Sequence, residues 1–336
     1  FGSTGDTNGN VHKGKLDKEA EELGLGKAYS AFGGGPDGIH ACAAIDSLCD
    51  VAAIDTLLSN FIIPLQGDLI KCKQGRIHCS MNINTETGRL SARRPNLQNQ
   101  PALEKDRYRI RQAFTADVAS GKTLIVADYG QLELRLLAHM TKCQSMLEAF
   151  SSGGDFHSRT ALGMYEHIQQ AIDRGECILE WDGGKGEPAP VPLVKDMFST
   201  ERRKAKILNF SIAYGKTAHG LAKDWDVSLR EAEETVRRWY RDRPEVQAWQ
   251  EQRIVEAHST KRVRTLLGRH RHLHQINTKD RSVQKHLERA AINTPIQGGA
   301  ADIAMLAMLE IQRCEELRDL GWTLLLQVHD EVMLEG

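Results

Sequence analysis

The chain has 336 residues, with 44 Lys+Arg against 45 Asp+Glu, a length that favours two or more lobes over one compact unit. The net charge of −1 argues against a uniformly basic nucleic-acid coat, and no apolar run approaches the ~18 residues of a membrane span, so no membrane partner is expected. Seven cysteines without a C-x-x-C pair speak against both a disulfide framework and a zinc ribbon, and Cys72, His78 and Cys79 have a spacing that suits no common metal site.

The chain starts at Phe1, and Met333 to Gly336 still reads as strand, so the sequence looks cut at both ends, with any targeting segment outside it. Residues 1–38 hold ten of the 29 glycines and are expected to be a flexible Gly-rich segment. From His40 to Phe61, apolar residues recur at helical spacing (Ala44, Leu48, Val51, Ile54, Leu58), which predicts a helix. Residues 75–84 alternate like a strand. Thr123 to Ala127 is a short apolar run ending in Asp128, which predicts a buried strand with an acid at its tip, followed by a helix over Leu132 to Met140.

Helices are then predicted over Ser158–Arg174, Glu201–Tyr214 with Gly215 as C-cap, and Leu229–Ser259 as one long charged helix. Arg262–His274, broken at Gly268, predicts a hairpin. Val283–Leu317 reads as helix interrupted near Pro295, and Thr323–Val328 with Val332–Leu334 reads as two strands joined at His329-Asp330-Glu331.

Three constellations carry chemistry. Asp128, in Asp128-Tyr129-Gly130-Gln131-Leu132-Glu133-Leu134-Arg135, stands at a strand tip where it could hold a divalent cation; an N-cap aspartate for the next helix is the plainer explanation taken alone. Asp330 and Glu331 lie between apolar strands, and if that hairpin pairs beside the Asp128 strand, Asp128 and Asp330 could bridge two Mg²⁺ ions ~4 Å apart. In the segment 202–215, Arg202, Lys206, Phe210 and Tyr214 fall at roughly 0°, 40°, 80° and 120° around a helix. Ala205, Leu208 and Ile212 fall on the other side. One face is therefore core, while the other grades from cationic to aromatic, as a nucleoside triphosphate requires. A solvated basic face explains the cations but not the aromatic rings on the same stripe.

Together these segments resemble motifs A, B and C of family A, the DNA polymerase I-like DNA polymerases, in the family's order. Thr87-Gly88-Arg89-Leu90-Ser91 with Pro95-Asn96-Leu97-Gln98-Asn99, and the stretch from Arg289 to Gly298, are similar to its duplex-binding motifs. The likeness covers roughly residues 75–336, and the 157–202 loop with Asn209 to Tyr214 most resembles the plant and algal organellar members. It implies an α+β right-hand polymerase fold with an antiparallel palm sheet and helical fingers, the thumb and exonuclease domain being missing or partial. The implied divisions are a helical remnant at 39–74, palm at 75–150, fingers at 151–285 and palm again at 286–336.

The resemblance implies two Mg²⁺ ions on Asp128 and Asp330, with Glu331 a supporting acid. It places Arg202, Lys206 and His157 on the triphosphate, Lys206 as proton donor to the leaving pyrophosphate, and Tyr214 with Glu133 at the sugar, Glu133 excluding a 2′-hydroxyl. Phe210 would disfavour chain terminators. Arg89, Asn96, Gln98, Arg289, Asn293, Gln297 and His329 would line primer–template DNA, whose minor groove offers acceptors common to every correct pair. The implied partners are primer–template DNA and deoxynucleoside triphosphates, and the implied location is chloroplast or mitochondrion. Asp17-Lys18-Glu19 matches an exonuclease-like D-x-E string only superficially.

A single-subunit RNA polymerase, a non-catalytic DNA-binding derivative and a two-metal nuclease are the alternatives; Glu133, the retained acids and the 202–214 stripe respectively argue against them. The charge is also segregated. Residues 89–111, 201–216 and 261–289 carry +5, +4 and +7, leaving −17 on the remaining 268, and each basic window contains or adjoins one of these motifs. Phosphate contacts from such windows make DNA binding salt-dependent.

Overall fold

The computed structural model describes residues 7–66, 75–101, 106–151, 155–181, 187–225 and 227–336, with side chains from residue 15 onward. Cys72 lies outside them, as does part of the 182–192 loop. The described chain is mixed α/β and divides into two compact units, residues 1–80 with 92–114, and residues 81–91 with 115–336.

In the first unit the Gly-rich segment is not structureless: it contains helices Thr7–Glu22 and Ala28–Ala31. Tyr29 is 1% exposed and its hydroxyl accepts from the Gly35 amide at 3.0 Å. Ser30 donates to Asp17, which gives the D-x-E aspartate a structural partner. The predicted helix begins earlier than expected, at Gly35, and runs to Leu57 before a π-turn over Leu58–Ile62. Its apolar stripe is open, with Leu48, Val51 and Ile54 exposed. The 31-residue helical stretch Gly35–Leu65 is long and apolar enough to cross a membrane, which corrects the reading that no run approaches that length. Asp46, Asp50 and Asp55 lie within the stretch, and carboxylates so placed disfavour a lipid setting.

The second unit is built on a three-stranded antiparallel sheet: β1 (Leu124–Asp128), β4 (Thr323–Val328) and β5 (Glu331–Glu335), with β5 central. β1 pairs with β5 in a register that sets Asp128 opposite Glu331 and Leu124 opposite Glu335. The expected burial of β1 fails, since Ile125 and Val126 are 44% and 51% exposed. Ile125 and Val126 point to opposite sides, so this edge strand of a narrow sheet is open on both faces among the described residues. The predicted strand at 75–84 shrinks to Ser80–Asn82.

Helix α1 (Leu132–Thr141) follows β1 and is buried over most of its surface, with Arg135 and His139 exposed. Its Leu134 and Leu137 join Phe156 of α2 (Phe156–Met164), Leu208 and Ile212 of α3 (Ser199–Ala213) and Trp239 of α4 (Leu229–Arg241) in the main core. Two predicted helices are each two. The 158–174 helix breaks at Tyr165, whose extended backbone ends α2 before a second helix, Glu166–Asp173. The 229–259 helix breaks before Pro244, the first residue of α5 (Pro244–Thr260): proline bars the helical conformation from the residue ahead of it, and Arg243 is accordingly non-helical. Conversely, α6 (Arg281–Arg313) runs unbroken through Pro295. Dense packing on both sides of that turn, with Ala291, Ile292, Thr294 and Ile296 buried, holds the helix despite the missing N–H. The predicted hairpin forms as β2 (Arg262–Arg264) and β3 (His270–His272).

Candidate active site

Apart from Asn96 and Gln98, the site residues described next belong to the second unit. Pairing of β1 with β5 brings the two acidic motifs together: the Tyr129 amide donates to the Asp330 carbonyl at 3.1 Å. Asp128 is exposed at the strand tip and Asp330 half-buried in the turn. Burial first, and then the Asp128 charge, push the Asp330 carboxyl above its ordinary value, against the opposing pull of Arg89 and His329. Arg89 reaches Asp330 at 3.8 Å and binds Glu133 more closely. Two repelling carboxylates at one sheet edge fit a hard divalent cation that takes oxygen ligands. Among the described residues no group of three or more His, Cys, Asp or Glu gathers, so the remaining ligands would come from substrate or water. Glu331 stands opposite Asp128 in register.

Arg89 is delivered by a braced loop. Gly88 has φ +82°, and a Cβ there would stand 2.5 Å from the Arg269 guanidinium. Arg269 in turn donates to the Thr87 carbonyl (2.7 Å), the Gly298 carbonyl (3.1 Å) and Asp302 (2.8 Å), joining the loop, the hairpin and α6. His329 has φ +58°; burial and Arg89 lower its pKa, while Asp330 acts to raise it.

Helix α3 presents the predicted face. Lys206 is exposed, Arg202, Phe210 and Tyr214 are half-buried, and Ala205, Leu208 and Ile212 are buried. Gly215 ends the helix at φ +66°. The Phe210 ring lies 5.9 Å from Tyr214 and 5.7 Å from His157, so His157 extends the aromatic stripe. The Tyr214 hydroxyl donates to Glu133 and also hydrogen-bonds Gln297. Burial raises the Tyr214 pKa, with the Glu133 charge adding to it. Glu133 is 3% exposed, and burial raises its pKa too, offset in part by Tyr214 and Arg89. The rise at Tyr214 keeps the shared proton on the phenol, while the rise at Glu133 acts in the opposite sense.

Arg202 is not free for a ligand on all sides. Its Nε and one Nη hold Asp155, the latter at 3.2 Å. Asp155 also caps α2, accepting from the amides of His157 (3.3 Å) and Ser158 (3.2 Å), and takes a bond from Gln131 at 3.4 Å. Burial would raise the Asp155 carboxyl, but Arg202 and Ser158 outweigh it and hold it below its ordinary value. His157, 3% exposed, is pushed down to about 4 by burial and by the Arg202 and Lys206 charges, against Asp155. It is neutral at pH 7.

Arg289, Asn293 and Gln297 recur every four residues along one side of α6, and the Asn293 side-chain oxygen is buried with no partner among the described residues. Asn96 and Gln98 belong to the other unit. There Asn96 Oδ1 accepts from the Gln98 backbone amide at 3.1 Å, and Gln98 Oε1 accepts from the Ala92 amide at 3.0 Å. Sequence reasoning missed Asp155, Asn209 and Arg269. Only Asp155 had a signal, an Asp three residues before Ser158 at a helix start.

The structure thus brings an acid pair on a small antiparallel sheet together with a helix that grades from cation to aromatic. The sequence pattern of DNA polymerase family A matches residues 40–176 and 190–336. The chain belongs to that family. It is 63% identical over 327 residues to DNA polymerase I A, chloroplastic/mitochondrial, of Arabidopsis thaliana, covering 97% of this chain and 31% of that protein. The rice relative DNA polymerase I A, chloroplastic (Oryza sativa subsp. japonica), is 64% identical over 312 residues, 93% of this chain and 30% of its own length. The thermostable DNA polymerase I of Thermus aquaticus is 36% identical over 293 residues, 87% of this chain and 32% of its own length. The chain therefore spans about a third of the length of these relatives. Among solved structures, the POL domain of Pol1 from M. smegmatis in complex with DNA primer-template and dNTP superposes with a TM-score of 0.68 at 31% identity, covering 95% of this chain and 48% of that one.

Proposed function

We propose that this chain performs template-directed DNA synthesis, transferring deoxynucleotides to a primer 3′-hydroxyl with release of pyrophosphate, in organellar replication and repair. The observation that carries the proposal is the meeting of Asp128 and Asp330 beside the Arg89–Glu133–Tyr214 chain and the α3 stripe. Residues 75–150 and 286–336 would form the palm, and residues 151–285 the fingers.

Asp128 and Asp330 would hold two Mg²⁺ ions, which when bound supply charge neutralisation and a more acidic primer hydroxyl. Lys206 and the free edge of Arg202 take the triphosphate, His157 adds a neutral donor, and Lys206 gives a proton to the leaving pyrophosphate. Phe210 and Tyr214 stack against sugar and base, and the buried Glu133 carboxylate, fixed by Tyr214 and Arg89, crowds out a 2′-hydroxyl. Arg289, Asn293, Gln297 and His329 face primer–template DNA, with Arg89 beside them, and Asn96 and Gln98 are assigned to duplex contacts by the motif resemblance alone. The plant relatives named as chloroplastic or mitochondrial support an organellar location.

The test is extension of a primed template with Mg²⁺ and the four deoxynucleoside triphosphates, wild type against Asp330→Ala. Extension is expected from the wild type and lost in the variant; undiminished extension in the variant overturns the metal assignment. Equal use of ribonucleotides would instead favour the RNA polymerase reading that Glu133 disfavours.

A further inference from the structure

Behind the nucleotide face lies a buried polar chain that the reaction just described does not use. Trp239 Nε1 donates to Asn209 Oδ1 at 2.9 Å. Asn209 is fully buried, and Trp239 and Thr160 are 3% and 4% exposed. An indole N–H only donates, so the side of the Asn209 amide facing Trp239 must be oxygen. The amide nitrogen then faces Thr160 Oγ1 at 3.0 Å and His157 Nδ1 at 3.2 Å. The Thr160 hydroxyl spends its proton on the Phe156 carbonyl at 2.9 Å, so it accepts from Asn209. An amide NH₂ cannot accept either. Nδ1 of His157 must therefore be the bare nitrogen, and its one proton sits on Nε2.

We propose that Asn209, locked by Trp239, is a positioning residue that holds His157 as the neutral Nε2–H tautomer, presented as a hydrogen-bond donor to an anionic phosphate oxygen of the incoming nucleotide. The phosphate half of this inference rests on the polymerase reading; the tautomer half does not. Nε2 bonds to no other described residue, which leaves it open to a ligand. The charged groups facing the ring are Asp155, Arg202 and Lys206. Two cations already serve the phosphates there. A third would be repelled by them and would turn an Nδ1–H against the Asn209 NH₂. A neutral donor supplies direction without either penalty, and it needs the proton on one particular nitrogen.

The experiment is ¹⁵N NMR of the histidine side chains of the full chain, with His157→Gln assigning the His157 signals. The wild type is expected to show an unprotonated Nδ1 and a protonated Nε2. Trp239→Phe removes the lock and lets the amide turn over, so the two His157 nitrogens should move toward averaged shifts. A wild-type Nδ1–H, or an unchanged pattern in Trp239→Phe, overturns the proposal. In nucleotide incorporation, Trp239→Phe should raise KM for the triphosphate about three- to tenfold, the range for one ordinary hydrogen bond, with little change in kcat. In a His157→Gln background the same substitution should add nothing, whereas a merely structural role would add in both. An additive effect also overturns the proposal. A wild type that fails to bind nucleotide at all would overturn the polymerase reading instead, with the NMR pattern still deciding the lock.

Discussion

Asp155 is the residue whose substitution should be most informative about how the nucleotide face is held together. It caps α2 through the His157 and Ser158 amides and binds Arg202 of α3 through two donors. Asp155→Ala removes both functions, whereas Asp155→Asn keeps a good N-cap and loses the charge. An N-cap is worth about 1 kcal/mol. The Arg202 pair is partly exposed, with side chains 30% and 17% accessible, so screening holds its worth to about 1–2 kcal/mol. Urea unfolding at pH 7 should therefore show Asp155→Ala less stable by about 2–3 kcal/mol and Asp155→Asn by about 1–2 kcal/mol. The carboxyl is held below its ordinary value, so its contribution is present above the unfolded value of 3.8 and is lost as pH falls through the folded one. The gap between wild type and Asp155→Asn should accordingly narrow in strong acid. Equal losses for Ala and Asn would refute the separation of cap from ion pair, and losses under 0.5 kcal/mol in both would refute the whole assignment.

Two further predictions concern the same face. His157 is depressed from 6.5 to about 4, so the unfolded state binds its proton first and stability should fall as pH drops from about 6.5 toward 4, by up to about 3 kcal/mol; His157→Gln should lack that segment of the stability–pH curve, and parallel curves would sink the reading. Arg269→Lys cannot span the Thr87 and Gly298 carbonyls and Asp302 with one ammonium, so it should cost about 2 kcal/mol and speed hydrogen exchange at the Gly88 amide, which donates to Thr85 at 3.1 Å. Unchanged exchange there would show that the loop carrying Arg89 does not depend on the brace.

The motifs were legible because their chemistry is local. The stripe of Arg202, Lys206, Phe210 and Tyr214 follows from helical periodicity alone, and the structure shows the same division of faces, with Ala205, Leu208 and Ile212 buried. The terminal hairpin was equally plain, since two apolar runs flank a polar turn. Helix ends were less so. Residues 229–259 keep a charged, helix-favouring composition across Asp242-Arg243, and only the conformational bar that Pro244 imposes on its neighbour divides them. Pro295 misled in the other direction, because the packing that keeps α6 continuous lies in other elements.

The sequence by itself determined which residue types carry charge, aromatic surface and metal-binding capacity, and on which helix or turn they stand, since these follow from the identity and period of neighbouring residues. Tertiary structure alone decided what each side chain meets. It set Asp330 against Asp128 through the β1–β5 register, gave Arg202 to Asp155, and closed Glu133 between Tyr214 and Arg89. It also built the Trp239–Asn209–His157 chain from residues 30 and 52 positions apart. Hydrogen-bond direction and pKa depend on atoms a few ångströms away in space, and those neighbours are set by packing rather than by sequence distance.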